Sequence, residues 1–139
     1  MTTEENKALA HRFYKEVINK ANFSLAEELL SPEFRDRYAP LNQPQGIEGF
    51  RQLLTMVATA FPDVQVNIDE LVAEGDRVVA RLTVTGTHTG VLMGTIQPTG
   101  KRATWTGIDI LIVKNGQIAE RWSQRDLLGL VRQLGVVKE

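Results

Sequence analysis

The chain has 139 residues, 42% hydrophobic and 24% charged, which supports one hydrophobic core and excludes the profile of a disordered segment. Sixteen Lys and Arg against seventeen Asp and Glu give a formal net charge of -1, and with no basic tract to neutralise a row of phosphates, nucleic acid is not an expected partner. The absence of cysteine excludes disulfides and thiolate chemistry, and His11 and His88 share no metal-ligand spacing, so no metal is expected.

From the N-terminus, Met1 to Ala10 is polar and no run of about 18 apolar residues follows anywhere, which predicts a cytoplasmic protein with no membrane contact. Thr2 and Glu5 have capping-box spacing before Leu9, Phe13 and Val17, widened by Ala10, Tyr14 and Ile18, which predicts a helix from Thr3 to about Asn19. Ser24 and Glu27 repeat the box ahead of Leu25, Ala26, Leu29 and Leu30, a second helix stopped by Pro32. Phe34 to Tyr38 reads as a brief strand, and Pro40, Asn42, Pro44 and Gly46 mark a loop. Ile47, Phe50, Leu53, Leu54, Val57 and Phe61 trace a third helix closed by Pro62.

Beyond Pro62 the hydrophobic period becomes alternating. Val64, Val66 and Ile68 take one face of a strand that ends before a Glu74-Gly75-Asp76 turn. Arg77 to His88 is the next strand, with Val78, Ala80, Leu82 and Val84 on the face whose parity His88 shares. Gly90 to Lys101 is glycine-rich and predicts an irregular loop or wide hairpin. Trp105 to Lys114 is apolar on both faces, which predicts a central strand covered on both sides, its outer face by a second subunit. Asn115-Gly116 is a hairpin turn with Gln117 to Gln124 as the return strand, and Asp126 opens a terminal amphipathic helix through Leu134. Helices gathered in the first half and antiparallel strands in the second predict one α+β domain over residues 1–139, a cone-shaped curled antiparallel sheet against three N-terminal helices that enclose an apolar pocket.

Gly86-Thr87-His88-Thr89-Gly90, Pro98-Thr99-Gly100-Lys101, Gly107-Ile108-Asp109-Ile110, Gly116 through Trp122, Asp126-Leu127-Leu128-Gly129-Leu130 and Gln133-Leu134-Gly135 together resemble the signature of SnoaL-like polyketide (ester) cyclases. Phe13-Tyr14, Leu29 through Phe34 and Phe61-Pro62-Asp63 agree, so the resemblance spans essentially the whole chain. It implies the nuclear transport factor 2-like, or cystatin-like, fold and a homodimer. It also implies a cofactor-free enzyme that closes a ring of a small apolar or aromatic carbonyl-bearing ester by intramolecular aldol condensation. A buried aspartate at the position matched by Asp126 would be its acid and base. Two positions depart from the pattern: Ile110-Leu111-Ile112-Val113 lacks a histidine that established cyclases carry there, and Arg37 stands where many relatives have one.

An aldol closure needs a base near an acidified carbon, a donor to the electrophilic carbonyl and a dry pocket. Asp126 is the first choice for the base, although an Asp before Leu-Leu-Gly-Leu-Val is equally what a helix N-cap looks like. His88 is the second candidate, as a donor to a carbonyl or as a histidine tied to a loop. Asp109, on an otherwise apolar strand, needs a partner if buried, and Arg121 or Arg125 would supply a structural ion pair. Tyr14, Trp105 and Trp122 would line a flat pocket or belong to plain core, and Gln124 shares the face of Asp126 and would orient acid or ligand. Arg77 and Arg81 read as a solvated strand face.

Two further readings stand beside the cyclase. One is a non-catalytic binding or accessory protein with the same pocket. The other is an epoxide hydrolase resembling limonene epoxide hydrolase, which uses an Asp-Arg-Asp arrangement with an Arg-x-Asp pair on one strand; no Arg-x-Asp occurs in the sheet region here.

Overall fold

Thr2 starts the first helix, α1 (Thr3–Arg12), as a complete capping box: its hydroxyl accepts the Glu5 N–H at 3.0 Å and the Glu5 carboxylate accepts the Thr2 N–H at 3.0 Å. The computed structural model describes residues 2–37 and 44–136, so Tyr38, Pro40 and Asn42 of the expected strand end and loop lie outside the described residues. Where one continuous α-helix is predicted, Phe13–Ile18 instead forms a π-helical turn, with the Asn19 N–H bonded to the Tyr14 carbonyl at 3.0 Å. Neighbours on an α-helix stand about 100° apart. The wider turn brings Phe13 and Tyr14 inward together, both fully buried.

Helix α2 (Phe23–Leu29) is capped by Asn22, whose side chain accepts the Leu25 N–H at 3.2 Å, rather than by Ser24. Pro32 does not stop that helix. Leu30 is already extended, and Pro32 lies inside β1 (Leu30–Asp36), which buries Phe34 and Asp36 on alternate positions. Helix α3 (Gly46–Ala60) and strands β2 (Gln65–Glu74), β3 (Arg77–Thr87), β4 (Arg102–Lys114) and β5 (Gln117–Arg125) follow, before a closing α4 (Leu127–Gln133). The second half of β2 escapes the alternating pattern because the register shifts between Ile68 and Glu70, a bulge that leaves Asp69 and Glu70 both exposed. Asn115 (φ 52) and Gly116 (φ 76) make the β4–β5 hairpin turn in the left-handed region that this dipeptide tolerates.

The strand order is β1-β5-β4-β3-β2 in one five-stranded sheet, curled but unclosed. Four strands are antiparallel as predicted, whereas β1 joins the edge parallel to β5, so the sheet is mixed. On the inner face Ala103, Trp105 and Asp109 of β4 alternate with exposed neighbours, and the alternation ends at Leu111, Ile112 and Val113, all buried, where the register with β5 shifts. One core cluster joins Phe13, Tyr14, Phe34 and Phe50 to Ala80, Leu82 and Leu111. A second joins Phe61, Val84 and Trp105 to Leu130 of α4 and to Leu134 at its C-cap. Around Ile108 and Ile110 the outer face of β4 is open among the described residues: Ile108 is 51% exposed, Ile110 36%, and Trp122 on the neighbouring strand 50%.

Candidate functional site

Asp109 stands opposite Ser123 in the β4–β5 register, which puts Arg121 and Arg125 diagonally to either side of its carboxylate on the inner face. Arg125 grips it with both terminal nitrogens, Nη1 to Oδ1 at 2.7 Å and Nη2 to Oδ2 at 3.3 Å, while Arg121 Nη1 lies 3.8 Å from Oδ2. The Tyr14 hydroxyl donates to Oδ2 at 2.7 Å, and Arg121 turns its remaining donors to Asp36, Nε to Oδ1 at 3.3 Å and Nη2 to Oδ2 at 3.0 Å. Burial alone would push the Asp109 carboxyl up, but the two guanidinium groups and their hydrogen bonds outweigh it and hold it below the usual carboxylate range. Burial, and then the adjacent Asp109 charge, push the Tyr14 phenol well above its ordinary value. Against the opposing effect of burial, Asp109 and Asp36 raise Arg121, so this cluster is a set of fixed charges.

An acid–arginine–acid arrangement therefore exists, assembled from β1, β5 and β4 rather than from an Arg-x-Asp pair on one strand. Asp36 escaped the sequence analysis; the available signal was its parity with buried Phe34 in the short first strand.

His88 is fully buried at the end of β3. Its Nδ1 accepts the Thr99 N–H at 3.2 Å and lies 3.0 Å from Thr99 Oγ1, which puts the proton of the neutral ring on Nε2. Nε2 has no hydrogen-bond partner among the described residues. The ring sits 5.4 Å from Phe61, which lies 5.0 Å from Trp105.

The remaining candidates are on the opposite side of the sheet. A groove of about 890 Å³ runs along the outer face, floored by Ile108, Ile110 and Trp122 and bounded at one end by Gln124, Arg125 and Asp126. The groove is open, and on the inner side Tyr14 and the aromatic core pack against the sheet. Asp126 is exposed rather than buried: its Oδ1 accepts the Gly129 N–H at 2.9 Å, capping α4, and residue 129 is glycine where a Cβ would collide with that carboxylate. Arg81, expected on a solvated face, also lines the groove, with Nε 3.2 Å from Glu70 Oε1.

The structure therefore divides the sequence-derived site. Tyr14 and Asp109 meet in the buried cluster, His88 and Trp105 flank Phe61, and Trp122, Gln124 and Asp126 meet in the groove. Arg125 joins the first group to the last. Among the described residues no group of three or more His, Cys, Asp or Glu is placed to hold a metal ion, and no helix is long and apolar enough to cross a membrane.

Comparison with known proteins gives a consistent result. Residues 8–134 match a family model described as SnoaL-like polyketide cyclase. The chain is 29% identical to aklanonic acid methyl ester cyclase DnrD of Streptomyces peucetius over 124 residues, covering 86% of this chain and 84% of that protein. It is 30% identical to aklanonic acid methyl ester cyclase DauD of a Streptomyces species over 113 residues, covering 80% of this chain and 67% of that protein. The structure of TsrD from Streptomyces laurentii superposes with a TM-score of 0.88 at 33% identity, covering 99% of each chain.

Proposed function

The chain belongs to the SnoaL-like polyketide cyclase family, and from that premise we propose that it closes a ring in a small carbonyl-bearing ester by an aldol-type step using proton transfers alone. The ligand lies on Ile108, Ile110 and Trp122. Asp126 takes a proton from the carbon flanked by carbonyls, the resulting enolate carbon bonds to a ketone carbon of the same molecule, and Asp126 returns the proton to the alkoxide so formed. Gln124 donates an amide N–H to a ligand carbonyl. The sheet separates His88 from the groove floor, and in this reading its imidazole anchors the 89–101 loop through Thr99. The observation that supports the reading is a carboxylate and an amide, those of Asp126 and Gln124, at one end of an apolar-floored groove in a chain of this family.

We place a second copy of the chain across the same outer face, where Ile110 stands directly opposite Trp122. That copy would roof the groove and exclude water from the enolate. Sedimentation should give a dimer for the natural chain and a monomer for Trp122→Glu; a natural chain that sediments only as a monomer at micromolar concentration removes this partner.

The activity test uses aklanonic acid methyl ester, the compound named for DnrD and DauD, as a probe ester. The natural chain should form a cyclised product and Asp126→Asn should form none while still binding the ester. A second reading, a container that performs no chemistry, is favoured by the cap hydrogen bond of Asp126. Recovery of the ester unchanged from both proteins would support that reading and reject the first.

A further inference from the structure

The bulge in β2 puts a second carboxylate on the outer face of the sheet. Ile68 pairs with Leu82 and Glu70 with Arg81, so Asp69 is the extra residue, and its side chain lines the groove beside Thr83 of β3. Asp69 Oδ2 accepts the Thr83 hydroxyl at 2.5 Å and stands 3.7 Å from Nη1 of Arg81, a side chain already bonded to Glu70 through Nε. Thr83 is directly opposite Thr106 of β4, and the Thr106 carbonyl accepts the Asp126 N–H at 2.9 Å. Asp69, Thr83, Thr106 and Asp126 therefore stand in one row across the groove, with Ile108 in a neighbouring row between Arg81 and Gln124.

We infer that Asp69 and Thr83 form a hydrogen-bond acceptor site that selects a flat ligand bearing a hydroxyl. The ligand lies over Ile108 with that hydroxyl at Asp69 and its carbonyl end towards Gln124 and Asp126. This rests on the proposed function only in placing a small molecule in the groove. A threonine hydroxyl has one proton, and Thr83 gives it to Asp69, so the lone pairs left on Thr83 Oγ1 can only accept. Asp69 Oδ1 has no hydrogen-bond partner among the described residues, and the side chain is 23% exposed and borders the groove. Arg81 beside the same carboxylate repels a cationic donor, which leaves a neutral hydroxyl as the group that fits. The row spans three strand spacings, about 14 Å between backbones, and side chains reaching in from both ends leave the length of a fused two-ring molecule.

Equilibrium dialysis of the full chain with 7-hydroxycoumarin and with 7-methoxycoumarin, in mildly acidic buffer where the first keeps its hydroxyl proton, tests the inference without requiring turnover. Both are flat two-ring lactones with a carbonyl at the far end, and only the first can donate from its ring substituent. The natural chain should bind 7-hydroxycoumarin about tenfold more tightly, the value of one hydrogen bond to a charged group. Asp69→Ala should bring the two compounds within about twofold of each other, by weakening 7-hydroxycoumarin. Thr83→Val, which keeps the volume and removes one acceptor, should leave a preference of about threefold and covers the case in which Asp69→Ala does not fold. Glu74→Gln, which removes a carboxylate from the far end of the same strand, should keep the full preference. Failure of the natural chain to bind 7-hydroxycoumarin or to prefer it, an unchanged preference or equal weakening of both compounds in folded Asp69→Ala or Thr83→Val, or the same loss of preference in Glu74→Gln would each overturn it. A chain that shows this preference but closes no ring rejects only the cyclase reading, and a chain that closes the ring without it rejects only the acceptor site.

Discussion

Tyr14 and Asp109, 95 positions apart, meet at 2.7 Å between a phenol oxygen in a π-helical turn and a fully buried carboxylate on β4. The contact ties the N-terminal helix to the centre of the sheet.

The phenol is pushed up by burial and then by the Asp109 charge, so the folded chain keeps this proton above the pH, about 10, at which the unfolded chain loses it. The stabilisation is complete below that pH and is lost as pH rises towards the folded value. Tyr14→Phe should cost about 1–2 kcal/mol near neutrality and flatten the alkaline limb of the stability profile. Urea midpoints measured across pH for both proteins check this, and parallel alkaline limbs would show that another group controls that region.

Asp109 has the opposite sign. Its depressed carboxyl contributes stability that is fully present above about pH 4, the unfolded value, and is lost as pH falls towards the folded one. Asp109→Asn leaves Arg121 and Arg125 buried with one fewer counter-charge and should destabilise by roughly 3–5 kcal/mol while making the acid limb shallower. A change under about 1 kcal/mol in urea unfolding would mean that the pair is dispensable.

Sequence patterns revealed different parts of this arrangement with different success. A charge on an otherwise apolar strand requires compensation if buried, which pointed to Arg121 or Arg125 as the partner of Asp109, and the structure buries the carboxylate and sets both arginines beside it. The same reasoning could not locate Asp36, whose strand is short and joins the sheet in parallel, a long-range pairing with no local signal. Nor did helical periodicity distinguish the π-helical turn at Phe13–Ile18 from continued α-helix, since the apolar stripe suits both. Apolar residues on both faces of β4 marked a central strand, which the strand order bears out, yet Ile108 and Ile110 are exposed in this chain because pattern records what a face requires, not what covers it. For Asp126 the capping geometry was legible, whereas its exposure depends on where the last helix leaves the sheet.

The cap and the proposed chemistry of Asp126 are separable by substitution. Asparagine caps helices about as well as aspartate, so Asp126→Asn should unfold within about 0.5 kcal/mol of the natural chain, whereas Asp126→Ala should lose about 1 kcal/mol. Thermal melts of the three proteins would contradict the cap assignment if the alanine variant matched the other two.

The most direct measurement is deuterium exchange at the acidified carbon of aklanonic acid methyl ester in D2O, followed by NMR with the natural chain and with Asp126→Asn. Proton abstraction by this carboxylate predicts that the natural chain accelerates exchange well beyond buffer and that the folded asparagine variant does not. Equal acceleration by both would contradict it and move the base elsewhere in the molecule.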